Sequence, residues 1–130
     1  MARLVVAASL AFGLLVNCGS ELPRPRLGPH KSWSGTPAVV EFPPPPARVE
    51  RVPPQPRPAC VWIDGQWQWS GRHWEWLAGA WVKPPEGCYY AEPLTVWVPS
   101  AGKGELFFMP GRWYADAEGA PCASPICGDN

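Results

Sequence analysis

Residues 61–85 read VWIDGQWQWSGRHWEWLAGAWVKPP and hold six of the nine tryptophans of the chain. These six lie at intervals of 5, 2, 5, 2 and 5 residues, at Trp62, Trp67, Trp69, Trp74, Trp76 and Trp81. A spacing of two puts both side chains on one face of a β-strand, whereas a coiled-coil heptad needs spacings of three and four. The stretch therefore predicts short β-strands, with turns in the gaps of five.

Two-residue turns fit those gaps. An Asp-Gly pair, as at residues 64–65, favours a type I′ turn, and the Gly at the start of residues 71–72 suits a type II′ turn. The Ala-Gly pair at 78–79 is a weaker third turn. We expect a four-stranded antiparallel meander over residues 59–63, 66–70, 73–77 and 80–84. Its register pairs Trp62 with Trp67, Trp67 with Trp76, Trp76 with Trp81 and Trp69 with Trp74, and it places all six indoles on one face.

Further strands follow this meander. LTVWVP (94–99) and ELFFMPGRWYA (105–115) predict strands joined by a five-residue loop, and Pro110-Gly111 predicts another turn. VVEF (39–42) is a weaker candidate for an edge strand. The expected fold class is all-β, an antiparallel meander that curls into a roll or a small sandwich of about six or seven short strands. This body covers residues 59–116, and a tail follows at 117–130.

The N-terminus has the pattern of an export signal. An apolar run of 13 residues, from Leu4 to Val16, follows one arginine and is too short to span a bilayer. The run ends in LLVNC, which resembles a bacterial lipobox, although Asn17 replaces the usual small residue. The resemblance implies a signal peptide at 1–17 and a lipidated Cys18, and Gly19 after the cysteine implies the outer membrane. The alternative is an ordinary secretory peptide that is cut elsewhere.

Residues 18–58 form a proline-rich arm with 12 of the 19 prolines of the chain. Proline removes a backbone donor and fixes φ, so neither a helix nor a central strand is expected. We predict a disordered, semi-rigid spacer. A ligand for a proline-binding module, or a basic segment that contacts acidic lipid or glycan, is the alternative, since residues 19–58 carry six Lys or Arg against three Asp or Glu.

Four cysteines remain after Cys18, namely Cys60, Cys88, Cys122 and Cys127. An even number of cysteines in an exported chain predicts disulfides. The pairing chosen from their positions is Cys60–Cys88 and Cys122–Cys127. A zinc site built from the four, or with His73, is the weaker alternative because the spacing is unusual for zinc.

Four hexapeptides share one motif. WIDGQW (62–67) and WLAGAW (76–81) match W-x-x-G-x-W, WSGRHW (69–74) links them, and FMPGRW (108–113) is a degenerate copy. They resemble the bacterial WXXGXW (YXWGXW) repeat family, which occurs in secreted and lipoprotein-like chains, often beside proline-rich sequence. The resemblance implies no catalytic activity.

No residue pattern predicts catalysis, a metal site or a cofactor. His30 lies in the arm, and the pair His73 and Glu75 is expected on the solvent side of a strand. The net charge of zero offers no basic signal for nucleic acid. We therefore expect a non-enzymatic cell-envelope lipoprotein, anchored in the outer membrane through Cys18 and facing the periplasm or the cell surface. Its partners would be the membrane, and envelope proteins or peptidoglycan.

Two functions remain for the tryptophans. In the first, the indoles form the core of a structural or protein-interaction module, and Gln, Glu or backbone carbonyls accept the hydrogen bonds of the buried N–H groups. In the second, part of the face formed by the six indoles stays open as a platform that stacks on the sugars of peptidoglycan or polysaccharide. Six exposed tryptophans would exceed the apolar patches that monomers usually show, which favours the first.

Overall fold

The computed structural model describes residues 21–31, 37–119 and 121–128. Within these ranges the chain forms nine β-strands and no helix, which confirms the all-β prediction. The strands in chain order are β1 (Ala38–Val40), β2 (Val61–Ile63), β3 (Gln66–Trp69), β4 (Trp74–Leu77), β5 (Ala80–Val82), β6 (Cys88–Ala91), β7 (Leu94–Ser100), β8 (Lys103–Met109) and β9 (Arg112–Ala115). The predicted signal peptide and Cys18 lie outside the described residues.

Strands β2 to β5 form one long hairpin instead of the predicted meander. β3 pairs with β4, and β2 pairs with β5, both antiparallel. Ile63 lies opposite Ala80 and Gln66 lies opposite Leu77, so the two ladders continue one register across a two-residue break on each side. The predicted turns at 64–65 and 78–79 are thus the two halves of that break.

The central turn of this first hairpin is the predicted one. The chain reverses at residues 71–72, where the amide of Ser70 donates to the carbonyl of His73 over 3.0 Å. Gly71 has a φ of 94°, a left-handed conformation that an L side chain rarely adopts. This glycine therefore fixes the only reversal of the chain within residues 61–82.

The tryptophans pair across this hairpin in edge-to-face contacts. The pairs are Trp62 with Trp81, Trp67 with Trp76, and Trp69 with Trp74, with ring centroids 5.5, 5.1 and 5.1 Å apart. The second and third pairs confirm the prediction, whereas the predicted contacts of Trp62 with Trp67 and of Trp76 with Trp81 are wrong. The intervals 5, 2, 5, 2, 5 read the same in both directions, so a single central turn gives every indole a partner.

The indoles fall into two clusters along the first hairpin. Trp62 and Trp81 are buried with Cys60 in one cluster. Trp74 is buried in a second cluster with Val40 and Phe108, and two further indoles, Trp67 and Trp69, pack against it. The cluster of Trp74 lies toward the central turn and the cluster of Trp62 and Trp81 lies toward the open end of the hairpin.

A second hairpin packs against the cluster of Trp74 through Phe108 of β8. β7 pairs with β8 and β6 pairs with β9, again in one register, because Ala91 lies opposite Arg112 and Leu94 lies opposite Met109. The loop between β7 and β8 is two residues long, 101–102, because Ser100 pairs with Lys103; the predicted five-residue loop is too long. Strand β6 was not predicted from the sequence. β1, part of the predicted edge strand at 39–42, pairs with β8 and completes a three-stranded sheet.

The described part of the arm packs on the two hairpins, which contradicts the prediction of a disordered spacer. The amide of Trp62 donates to the carbonyl of Pro23 over 2.8 Å, and Leu27 forms a parallel bridge with Tyr90 of β6. Residues 42–53 continue along the first hairpin. Proline-rich chain keeps its carbonyl oxygens as acceptors, and donors of the hairpins meet them.

All four cysteines form disulfides, but the predicted pairing is wrong. The bonds are Cys60–Cys127 and Cys88–Cys122. The tail returns to the edge of β5, where the amide of Cys127 donates to the carbonyl of Trp81 over 2.8 Å. The sulfur of Cys127 thereby reaches the start of β2. The order of the cysteines along the sequence does not indicate that the tail packs against β5.

Candidate functional site

The break in the first hairpin is lined by two glycines, one from each W-x-x-G-x-W copy. A Cβ on Gly65 would lie 2.3 Å from Cζ2 of Trp76, and a Cβ on Gly79 would lie 2.4 Å from Cζ2 of Trp62. The first indole of each copy therefore covers the glycine of the other copy. A side chain at either position would collide with a ring, which explains why the motif carries glycine there.

A carboxylate from the arm occupies this break. Oε2 of Glu50 accepts hydrogen bonds from the amides of Gly65 and Gly79 over 3.1 and 3.0 Å. Oε1 accepts a third from the indole N–H of Trp76 over 2.9 Å. The two amides lie between the ladders, where the hairpin offers them no cross-strand carbonyl. We call the two glycine amides and the Trp76 indole N–H the glycine notch.

Carbonyl groups of the arm accept three more indole N–H bonds. Phe42 accepts from Trp74 over 3.1 Å, Pro46 from Trp67 over 3.1 Å, and Pro53 from Trp81 over 2.9 Å. We call residues 42–53 the strap. Its contacts recur every three or four residues along the chain, a spacing that suits an extended proline-rich segment with about three residues per turn.

Arg48 gives the strap a second charged contact. Its guanidinium lies over the rings of Trp67 and Trp76, 4.8 and 5.8 Å from their centroids. Val49, between Arg48 and Glu50, points away and is fully exposed. The two charged side chains thus face the hairpin while the apolar one faces solvent.

The six predicted platform tryptophans are therefore largely covered. Trp62, Trp74 and Trp81 are 3, 8 and 6% exposed. Trp62 donates its indole N–H to Oδ1 of Asp64 over 2.8 Å, and Trp69 packs edge-on against the ring of Phe42. Backbone carbonyls and the carboxylate of Glu50 are acceptors of the predicted kinds, whereas Asp64 was not predicted. The sequence reasoning missed Glu50 and Arg48 because both lie in a segment that composition assigns to a spacer.

The second hairpin has a similar break with a different acceptor. Gly111, from the degenerate copy, donates its amide to Oε1 of Gln66 over 3.3 Å, and a Cβ there would lie 1.9 Å from the hydroxyl oxygen of Tyr90. Burial raises the pKa of Tyr90 above its usual 10.0; a hydrogen bond with Gln66 lowers it, and the charge of Glu92 raises it. Gln66 of the first hairpin thus binds the break of the second.

A cleft of about 360 Å³ lies between the two hairpins and the arm. Its aromatic walls are Trp62, Trp67, Trp76, Tyr90 and Phe108, and its charged or amide groups are Arg24, Asp64, Gln66 and Glu92. Arg24 and Asp64 form an ion pair with each other. Aromatic walls with a few polar groups are typical of small-ligand sites.

The histidines do not form an enclosed site. Nε2 of His73 lies 2.9 Å from Oε1 of Glu75, and Nδ1 lies 3.2 Å from Oγ of Ser70, but His73 and Glu75 are 65 and 62% exposed at the tip of the first hairpin. His30 contacts the hydroxyl of Tyr114 and the carbonyl of Glu92. The contacts of His73 and Glu75 place them on the surface, as expected.

Two features are absent from the described ranges, 21–31, 37–119 and 121–128. These residues include no cluster of three or more His, Cys, Asp or Glu side chains placed to hold a metal ion. They also form no helix with the length and apolarity needed to cross a membrane.

Comparison with known proteins identifies the repeat. A family described as WXXGXW repeat matches the chain in two copies, at residues 60–82 and 108–121. The first match spans the whole first hairpin, and the second begins in β8 and includes Gly111. No curated protein and no solved structure matches the chain.

Proposed function

We propose that the chain is a non-enzymatic lipoprotein of the cell envelope, anchored in the outer membrane through Cys18, and that its double hairpin is a structural or protein-interaction module. The observation that carries this proposal is the strap. Indole N–H groups of the predicted platform already bond to Phe42, Pro46 and Pro53 of the chain itself. A tryptophan face that the chain covers in this way supports a rigid module rather than an open stacking platform.

The two disulfides support the proposed compartment. Cys60–Cys127 closes the tail onto the first hairpin, and Cys88–Cys122 closes it onto the second. Structural disulfides persist in oxidising compartments such as the periplasm and the cell surface. A small body of this kind also gains stability from such cross-links.

The anchor is tested by metabolic labelling. The parent chain and the variant Cys18→Ser are expressed in a Gram-negative host with radioactive palmitate, and the membranes are fractionated. We expect label on the parent only, in the outer-membrane fraction, and an unlabelled variant. A parent chain that is exported without label would contradict the lipoprotein proposal, and Cys18 would then belong to a discarded peptide.

The cleft favours a second candidate function, the binding of peptidoglycan or another glycan. Indole and phenol rings stack on sugar faces, and Asp64, Gln66 and Glu92 are hydrogen-bond partners for sugar hydroxyls. The candidate site is thereby narrowed from six tryptophans to the three that line the cleft, Trp62, Trp67 and Trp76.

Glycan binding is tested by retention on insoluble peptidoglycan. Thr95 lines the cleft, so Thr95→Trp fills it, whereas the exposed Trp97 does not line it and Trp97→Ala is the matched control. We expect the parent and the control to be retained and the filled variant to be released. Equal retention of all three proteins, or no retention of the parent, rules out the cleft as a glycan site.

A further inference from the structure

We propose that the first hairpin is a binding groove for an extended proline-rich peptide that carries one carboxylate, and that the arm of a second copy of the chain can occupy it in place of the strap. The inference rests on the proposed interaction function and names its ligand. It is carried by the chemistry of the strap contacts, which are those of a peptide in a recognition groove.

The groove and the strap have complementary hydrogen-bonding groups. The tryptophan side chain has one N–H donor and no acceptor, whereas the backbone of proline has a carbonyl acceptor and no donor. The strap holds five prolines in twelve residues, so its backbone acceptors outnumber its backbone donors. The hairpin contributes indole donors from Trp67, Trp74 and Trp81, each of which meets a strap carbonyl. Aromatic-lined grooves bind proline-rich segments in the same general way.

The glycine notch supplies specificity. Three N–H groups converge on the carboxylate of Glu50, and two of them are backbone amides of Gly65 and Gly79 that no side-chain change can remove. A carboxylate that accepts several N–H bonds is held more strongly than a neutral acceptor. The notch thus selects one acidic residue at one position of the ligand, and Arg48 two residues earlier stacks on the adjacent indoles.

The ligand is a second copy because the sequence that fits the groove is the chain's own. Every copy carries residues 42–53 and the glycine notch, and the strap joins β2 through residues 54–60, which begin with the exposed Pro54 and Gln55. Covalent linkage favours the copy's own strap through its high effective concentration. Exchange between copies therefore requires that the contacts of the bound strap be weakened or that the strap be released.

The test uses a full-length chain in which the strap can be released. The host carries Cys18→Ser, Glu50→Ala and a protease site inserted between Pro54 and Gln55; after cutting, no residue is lost and both disulfides remain. Labelled peptides with the sequence of residues 37–58 are titrated by fluorescence anisotropy. The parent peptide is compared with peptides that carry Glu50→Ala or Glu41→Ala, two changes that remove the same charge.

We expect the parent and Glu41→Ala peptides to bind the cut host equally and the Glu50→Ala peptide to bind at least about tenfold more weakly. The uncut chain with its native Glu50 should bind none of them. Equal binding of the two variant peptides, no binding of the parent peptide to the cut host, or equal binding to the uncut chain would each overturn the proposal. Because no membrane, lipid or glycan is present, these outcomes leave the anchor and the cleft untouched.

Discussion

Replacing Glu50 with alanine is the most direct test of the glycine notch. The side chain accepts three hydrogen bonds of 2.9–3.1 Å, two from backbone amides and one from an indole. A hydrogen bond to a charged group contributes about 1.5–3 kcal/mol net, but Glu50 is half-buried and water can replace part of what is lost. We therefore expect Glu50→Ala to lower the free energy of unfolding by about 2–3 kcal/mol.

Two matched variants separate the notch from a loss of charge in the arm. Glu50→Gln keeps one acceptor oxygen for the donors and should cost about 1 kcal/mol. Glu41→Ala removes a carboxylate from an exposed position just before the strap and should change stability by less than about 0.5 kcal/mol. The loss of stability should therefore be largest for Glu50→Ala, smaller for Glu50→Gln and smallest for Glu41→Ala, because the number and charge of the acceptors in the notch decide it.

The measurement is urea unfolding of the Cys18→Ser chain, followed by tryptophan fluorescence with both disulfides intact. Hydrogen exchange of the Gly65 and Gly79 amides gives a local readout, and a loss of 2–3 kcal/mol corresponds to exchange about 30- to 150-fold faster. If Glu50→Ala and Glu41→Ala unfold at the same urea concentration and the two glycine amides exchange as in the parent, the notch does not hold the strap.

Three further predictions address the core, pH and the cross-links. Gly79→Ala forces its Cβ into the ring of the buried Trp62 and should cost about 2–3 kcal/mol by urea unfolding, whereas Gly128→Ala, which meets open space, should cost nothing measurable. The pKa of Tyr90 is raised on folding, so its stabilising contribution is complete below pH 10 and is lost as the pH rises through the folded pKa; Tyr90→Phe should therefore flatten the fall in stability between pH 9 and 11. Non-reducing peptide mapping should recover Cys60–Cys127, which closes 67 residues, and replacing both cysteines with alanine should cost about 4 kcal/mol.

The spacing of the tryptophans was sufficient to predict strands and the central turn. Tryptophans two residues apart lie on the same face of a strand, so this spacing predicts strands. Gly71 supplies the left-handed conformation that a tight turn needs. The same local reasoning failed at Asp64-Gly65, because an Asp-Gly pair fits a type I′ turn and a strand break equally well. A turn satisfies its own hydrogen bonds, whereas a break needs an outside acceptor, and here that acceptor is Glu50, fifteen positions earlier.

The candidate site was harder to predict, since its decisive residues come from the arm. Proline density correctly excludes regular secondary structure from residues 42–53, but composition does not distinguish a free segment from one bound to a groove. What separates the two is whether matching donors exist elsewhere in the chain. The indole donors of Trp67, Trp74 and Trp81 were visible in the sequence, but their pairing with particular carbonyls depends on the register of the folded hairpin.

The two breaks together show what the W-x-x-G-x-W motif requires. In the first hairpin two copies face each other, so each indole covers the opposite glycine and both amides share one carboxylate. In the second hairpin Gly111 lies opposite residues 92–93, Glu-Pro, and its single amide meets the neutral Gln66. In both, the amide of the motif glycine bonds to an acceptor that lies outside its own hairpin. The motif thus supplies the amide donor of a site, and another segment must supply the acceptor. A motif glycine without such an acceptor would leave a backbone donor unsatisfied. In the first hairpin the proline-rich arm supplies that acceptor through Glu50, which gives the repeat and the arm a structural reason to occur in one chain.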